Sequence, residues 1–169
     1  MDKPKIMVVD DSESSRDTLS GFFTEIGCDV VCEESGEGAW MALNAGQKVD
    51  LLILDWHMPM GMSGPALNRK ILADARFNKI PVVAFTSKLD ETLDTPEAKD
   101  WIASYRGNES TLKIREHHEV AKVDGESDAR RVPPELVLNV AERLREIGRA
   151  LPPTFMEAVG SLKSQGFAA

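Results

Sequence analysis

Residues 51–55 have the sequence LLILD, four consecutive apolar residues followed by an acid. The run shows no alternation of apolar and polar residues, which is typical of a strand covered on both faces. Such strands lie at the centre of parallel sheets that carry helices on both sides. The segment therefore predicts an α/β protein in which Asp55 follows the carboxyl end of a central strand.

Further strands are predicted on both sides of this run, at spacings that leave room for a helix between them. Residues 6–9, 29–32 and 80–85 are short apolar runs rich in β-branched residues. The segments between them have helical patterns and capping residues, which predict helices ending near Gly27, over 35–45 and over 65–77. Alternation of this kind indicates strand-helix-strand units and an open parallel sheet.

The second half of the chain is less regular. A helix is predicted over 95–105, and the polar stretch 106–132 shows no clean helical face. Pro133-Pro134 begins an amphipathic helix that ends at Gly148, and the tail 151–169 has a pattern for one short helix.

Length, charge and cysteine content exclude several classes of protein. A chain of 169 residues predicts about one domain, and its formal net charge of −8 disfavours direct nucleic-acid binding. No apolar run approaches the ~20 residues that span a bilayer, so no membrane association is expected. Cys28 and Cys32, four residues apart on one predicted strand, are too distant for a disulfide. We expect two buried thiols in a reducing, cytoplasmic protein.

Polar residues follow three of the predicted strands. Strand 1 is followed by Asp10 and Asp11, strand 3 by Asp55, and strand 4 by Thr86 and Ser87. In a parallel sheet these residues share one edge, where open α/β folds bind their ligands. Three carboxylates gathered there need a cation, and oxygen ligands of this kind suit Mg²⁺.

Asp55 is the candidate nucleophile of this edge. A carboxylate fixed by a buried strand can attack a phosphoryl donor and form an aspartyl phosphate. Positioning and positive charge supply most of the catalysis of such a step. The hydroxyl of Thr86 is placed to donate to a phosphoryl oxygen, and a lysine on a fifth strand would add further charge.

Four segments together carry a family resemblance: VVDDS at 8–12, LLILDWHMPM at 51–60, Gly64, and VVAFTS at 82–87. The chain resembles the receiver domain of two-component response regulators over residues 4–87, and more weakly over 133–149. The resemblance implies a CheY-like, doubly wound five-stranded parallel sheet of flavodoxin-like order 2-1-3-4-5, with helices on both faces.

The resemblance also implies roles for individual residues. A sensor histidine kinase or phosphotransfer protein would donate a phosphoryl group to Asp55. Mg²⁺ would be held by Asp10, Asp11 and Asp55 together with the backbone carbonyl of His57. Thr86 would be the switch hydroxyl.

The chain departs from the family pattern in two places. The loop 60–64 is one residue longer than usual, and no Lys-Pro pair follows Thr86 at the expected distance. Lys122 is the candidate for the phosphoryl-contacting lysine, Lys113 is the second candidate, and a third possibility is that no lysine fills the role. We therefore expect a receiver domain at 1–150 with an insertion within about 106–132, and a C-terminal tail at 151–169 whose short helix packs on the domain.

Three functions remain open at this stage. The first is a stand-alone phosphorylatable receiver that acts through contacts with a downstream protein, with a homodimer also possible. The second is a pseudo-receiver that binds a partner without phosphorylation. The third, a phosphatase with Asp55 as nucleophile, is disfavoured because His57 occupies the position where such hydrolases carry a second acid. We also expect Trp56 to be partly exposed beside the site.

Overall fold

The structure of the protein, a computed structural model, describes residues 2–56, 58–85, 132 and 134–167. Strands and helices alternate through these residues in the order β1 (Lys5–Val9), α1 (Glu13–Glu25), β2 (Asp29–Glu33), α2 (Gly36–Asn44), β3 (Leu51–Leu54), α3 (Gly64–Ala73), β4 (Val82–Ala84), α4 (Pro134–Glu146) and α5 (Pro153–Ser164). The helix predicted over 95–105, the fifth strand and residues 106–131 of the predicted insertion lie outside the described part.

The four described strands form one parallel sheet in the order β2-β1-β3-β4. The predicted parallel α/β fold is confirmed, and the described strands occupy the first four positions of the predicted order. β1 lies between β2 and β3, with Val9 opposite both Glu33 and Leu54. The carboxyl ends of the three strands therefore lie level with one another.

Both faces of the sheet are buried, which explains the uninterrupted apolar run. Leu51 and Ile53 of β3 belong to the core on one face, together with residues of α1, α4 and α5. Leu52 and Leu54 belong to the core on the other face, with residues of α2 and α3. Successive side chains of a strand point to opposite faces, so a strand packed on both sides needs apolar residues at every position.

A serine caps the first turn of each of α1, α2 and α3. The hydroxyl oxygens of Ser12, Ser35 and Ser63 each accept a hydrogen bond from the backbone N–H three residues later, over 3.3, 3.0 and 3.3 Å. Each cap satisfies one of the amides that a helix leaves unpaired at its start. The helices consequently begin at the edge of the sheet where the strands end.

Helix α3 is shorter than predicted, because it ends at Ala73 rather than near Phe77. Asp74 has extended backbone dihedrals, and its Oδ1 accepts the amide of Arg76 over 2.9 Å. An aspartate that bonds the backbone two residues on competes with helix continuation. Phe77, which was predicted to lie at the end of this helix, instead packs edge-on against Trp40 of α2, with ring centroids 5.7 Å apart.

Helix α5 packs against α1 rather than extending from the domain. Phe155 is fully buried, and its ring lies 6.2 Å from that of Phe23. The Thr154 hydroxyl donates to the carbonyl of Ile26 over 2.7 Å, just past the end of α1. The helix suggested by the tail sequence is thus part of the core on that face of the sheet.

Arg149, between α4 and α5, ties this end of the chain to the start of β1. Its Nη2 donates to the carbonyl of Lys3 over 2.9 Å, and its Nε lies 3.2 Å from Oδ2 of Asp50. The same Asp50 oxygen accepts the amide of Lys5 over 2.8 Å. These contacts lie at the amino-terminal edge of the sheet.

The described helices are short. The longest, α1 and α4, have 13 residues each, whereas a bilayer crossing needs about 20. Across the described ranges, no helix has the length and apolarity of a membrane span.

The expectation of two buried thiols is wrong for one of them. Cys28 is buried, whereas Cys32 is exposed on the edge strand β2. Burial raises the pKa of Cys28 to about 12, with a further rise from the neighbouring Asp29 and a smaller opposing effect of Lys3.

Truncating Phe155 should destabilise the domain strongly. Removal of a buried phenylalanine side chain costs about 3–5 kcal/mol, so Phe155→Ala should lower the free energy of unfolding in urea by that amount. Its neighbour Met156 is 51% exposed, so Met156→Ala is the matched control and should change stability by less than about 0.5 kcal/mol. Equal effects of the two substitutions would show that α5 is not docked.

The two thiols should differ in reactivity because Cys32 is exposed and Cys28 is buried, although partial burial raises the pKa of Cys32 as well. At pH 8 a thiol with a pKa near 12 is ionised in only about one molecule in ten thousand, and the thiolate is the reactive form. Iodoacetamide should therefore modify Cys32 and spare Cys28 until urea unfolds the protein, as measured by mass spectrometry of peptides. Comparable labelling rates in the folded protein would contradict this, and Cys32→Ser provides the control in which rapid labelling disappears.

Candidate functional site

The backbone holds Asp10 and Asp55 side by side at the carboxyl edge of the sheet. The amide of Asp55 donates to the carbonyl of Val9 over 2.8 Å, and the amide of Asp10 donates to the carbonyl of Glu33 over 3.1 Å. Each aspartate follows directly after the last residue of its strand. The hydrogen-bond ladder of the sheet thus extends one residue beyond each strand and fixes the backbone positions of Asp10 and Asp55.

Asp10, Asp11 and Asp55 form an acidic cluster in which one carboxylate oxygen of each residue lies within 4.8 Å of the others. Asp10 and Asp55 are 2% and 3% exposed, whereas Asp11 is exposed. Like charges repel, more strongly where water is excluded. The cluster therefore combines two buried oxygen ligands with a third that faces solvent, from which a cation can enter.

The turn between β1 and α1 orients Asp10. Its Oδ1 accepts the amide of Ser12 over 2.9 Å, and its carbonyl accepts Nη1 of Arg16 over 2.7 Å. Ser12 in turn caps α1, so side chain and main chain of Asp10 are both held by the first turns of that helix. Sequence reasoning did not identify Arg16, although a cation in the second helical turn after an acid pair is a usable signal.

The loop that follows Asp55 returns against it. The amide of Gly64 donates to the carbonyl of Trp56 over 3.2 Å. A β-carbon on Gly64 would lie 2.8 Å from Cα of Trp56 and would also collide with the carbonyl oxygen of Asp55. Only glycine permits this approach, which gives a physical reason for the Gly64 of the family pattern.

The structure corrects one expectation about the surroundings of Asp55. Trp56 is 3% exposed, so the expectation that it is partly exposed is wrong. Its side chain packs in the core between the sheet and helices α2 and α3, because it continues the apolar face of Leu52 and Leu54. Met60, by contrast, is 82% exposed at the tip of the loop.

Of the predicted site residues, the structure brings Asp10, Asp11 and Asp55 together. The other predicted members, His57, Thr86 and Lys122, lie outside the described residues, as does the second lysine candidate Lys113. Phe85, which precedes Thr86 in the chain, donates its amide to the carbonyl of Leu54 over 3.0 Å.

The donor set of the cluster fits Mg²⁺. All three groups are carboxylates, which are the hard oxygen ligands that this ion prefers, and Mg²⁺ is bound in proteins by a few carboxylates together with water. Such a cation would offset the repulsion within the cluster.

Comparison with known proteins identifies relatives of similar sequence. The chemotaxis protein CheY1 of Helicobacter pylori is 38% identical over 85 residues, which cover 50% of this chain and 68% of that protein. The chemotaxis protein CheY of Pseudomonas aeruginosa is 33% identical over 97 residues, covering 56% of this chain and 77% of that protein.

Solved structures agree with this comparison. The N-terminal domain of a response regulator receiver protein from Methanoculleus marisnigri JR1 has 34% identity and a TM-score of 0.51, covering 60% of this chain and 77% of that one. CheY4 of Vibrio cholerae, at 22% identity and a TM-score of 0.52, shares the fold and covers 66% of this chain and 94% of its own.

A family model places these similarities in one group. The response regulator receiver domain model matches residues 6–105, which is more than half of the chain. The match includes the strands β1 to β4 and the three aspartates of the acidic cluster. The chain therefore belongs to the response regulator receiver domain family, whose CheY-type members are signalling proteins.

Proposed function

We propose that this protein is a phosphorylation-dependent switch whose phospho-acceptor is Asp55. The observation that carries the proposal is the acidic cluster, in which Asp55 lies beside Asp10 and Asp11 at the end of a central strand. The match to the receiver domain family over residues 6–105 supports the proposal. The phosphoryl donor would be a sensor histidine kinase or a phosphotransfer protein.

In the proposed transfer, a carboxylate oxygen of Asp55 attacks the phosphorus of a phosphohistidine. The P–N bond breaks as the P–O bond forms, and its electron pair stays on the imidazole nitrogen, which takes up a proton. The product is an acyl phosphate on Asp55, and attack by water on its phosphorus returns the carboxylate and inorganic phosphate. The protein at most catalyses its own phosphorylation and dephosphorylation.

The residues around Asp55 would position this nucleophile and hold the cation that offsets the charge of the phosphoryl group. The backbone ladder through Asp55 and Val9 fixes the nucleophile, and the buried surroundings limit its freedom. Asp10, Asp11 and Asp55 would hold Mg²⁺, which when bound supplies positive charge that offsets the charge of the phosphoryl oxygens. His57 would contribute its backbone carbonyl to the same ion.

Thr86 and Lys122 would complete the site as the switch hydroxyl and the phosphoryl-contacting lysine. Thr86 directly follows Phe85, whose amide extends the ladder beside Leu54. The new charge on Asp55 would favour a second arrangement of this edge, in which a downstream protein is bound. We propose a receiver domain at 1–150 with its insertion within about 106–132, in a cytoplasmic protein that acts through protein contacts, with a homodimer also open.

The alternative is a pseudo-receiver that binds its partner without phosphorylation. The missing Lys-Pro pair after Thr86 favours it. The two functions differ in how partner binding responds to Asp55→Asn. Binding that is unchanged by this substitution and by phosphodonor supports the pseudo-receiver.

Phosphorylation should depend on Asp55. Incubation with acetyl phosphate and Mg²⁺ should add one phosphoryl group that hydroxylamine removes, because an acyl phosphate is labile to this nucleophile, and intact mass spectrometry measures both changes. Asp55→Asn should abolish the gain, since an amide is not an adequate nucleophile. Asp29→Asn, an exposed position at the opposite edge of the sheet, should leave it unchanged. A gain that persists in Asp55→Asn, or no gain in the wild type, would exclude the proposal.

Mg²⁺ binding should depend on the other two acids of the cluster. Asp10→Asn keeps the oxygen that accepts the Ser12 amide but removes a charge. We expect its Mg²⁺ affinity, and that of Asp11→Asn, to fall by at least about tenfold. Changes to residues that only support the ligands of a metal already cost about 10- to 100-fold in affinity. Isothermal titration calorimetry measures this, with the exposed Asp17 of α1 changed to Asn as the control. Equal affinities of all variants would place the ion elsewhere.

A further inference from the structure

The described part of the loop between β3 and α3, residues 56 and 58–63, is held to helix α2 by the side chain of Glu37. Glu37, the second residue of α2, accepts the backbone amide of Met62 on its Oε1. The two residues are 25 positions apart in the chain, so the contact joins two separate elements. Glu37 lies outside all of the segments that carry the family resemblance.

Glycines on both sides of this contact allow it to be close. A β-carbon on Gly36 would lie 2.6 Å from the carbonyl oxygen of Met62. Gly61 has a φ of 81°, which L residues with side chains rarely adopt, and a β-carbon there would collide with the carboxylate of Glu37. The loop and the start of α2 are therefore shaped to fit each other at Glu37.

The other attachment of the loop is at Asp55 itself, through the packing of Gly64 on the backbone of Asp55 and Trp56. The part of the loop that leads to these two contacts, residues 60–64, is one residue longer than the turn usual in the family. An additional residue gives a loop more conformations to lose when it is ordered. The bond from Glu37 restrains that freedom within seven residues of Asp55.

We propose that Glu37 is a positioning residue for the phosphorylation of Asp55. It acts through the β3–α3 loop, whose amide it holds, and does not touch the phosphoryl group. Without this bond, the loop beside Asp55 spends a smaller fraction of its time in the arrangement that is competent for phosphoryl transfer. The observed rate of phosphorylation falls in proportion to that fraction. The inference rests on the proposed function of Asp55.

Two substitutions separate the hydrogen bond from the charge. Glu37→Asp keeps the carboxylate in the first turn of α2 but shortens its reach by one methylene. Glu37→Gln removes the charge but keeps an oxygen at the same position to accept the Met62 amide. Glu142→Asp, at an exposed position of α4, is the control for shortening a helical glutamate.

The rate of phosphorylation by acetyl phosphate in Mg²⁺ is the first readout. We expect Glu37→Asp to lower it about three- to tenfold, less than the ~10²-fold that a 1 Å misplacement can cost. Glu37→Gln and Glu142→Asp should stay within about twofold of the wild type, because the acceptor at position 37 is retained in both. Hydrogen exchange of the Met62 amide should quicken in Glu37→Asp alone, and Mg²⁺ affinity measured without phosphodonor should weaken in the same variant.

Each result decides the inference. A wild-type rate in Glu37→Asp despite faster exchange at Met62 overturns the positioning role, because the loop is then released without effect. An equal loss of rate in Glu37→Asp and Glu37→Gln also overturns it, since removal of the charge alone, with the acceptor for the Met62 amide retained, would then be enough to lower the rate. A wild-type protein that is never phosphorylated removes the proposed function and this inference with it, which distinguishes the two failures.

Discussion

The site depends on backbone hydrogen bonds that hold mutually repelling carboxylates close together. Asp10 and Asp55 are both almost completely buried, and like charges placed so close together repel each other. Their separation is set by the ladder between β1 and β3, through the 2.8 Å bond from the Asp55 amide to Val9. Folding energy from two apolar cores thus maintains an arrangement that the charges themselves oppose. Such a cluster is responsive to charge, because any cation or anion that enters changes its energy strongly.

Sequence patterns predicted the framework well, because the framework rests on local rules. The apolar run of residues 51–54 requires coverage on both faces, and the structure provides it. The cap at Ser35 follows from side-chain chemistry over three residues. The placement of Asp10, Asp11 and Asp55 at one edge follows from a parallel sheet, whose strands all end at the same edge. Of these features, only the order of the strands depends on distant contacts, and it was implied by the family resemblance.

The differences arise where distant contacts decide. Helix α3 ends at Ala73 because Asp74 starts a turn of its own, which outweighs the apolar periodicity that extends to Phe77. Trp56 is buried because helices α2 and α3 cover the face of the sheet that it shares with Leu52 and Leu54, and this cover extends past the end of β3. Glu37 bonds to a backbone amide 25 positions away in the chain, a contact that its neighbouring residues do not indicate. The roles of His57, Thr86 and Lys122 still depend on the family resemblance.

The contact of Arg149 with the carbonyl of Lys3 has a practical consequence for how the molecule is handled. β1 starts at Lys5 and is followed by Asp10, so the strand separates this contact from the acidic cluster by about 16 Å. An affinity tag or fluorophore attached before residue 2 would therefore leave the molecule on the side remote from the acidic cluster. Surface immobilisation through that end presents the acidic cluster to solution, which suits binding measurements with a second protein in the mobile phase.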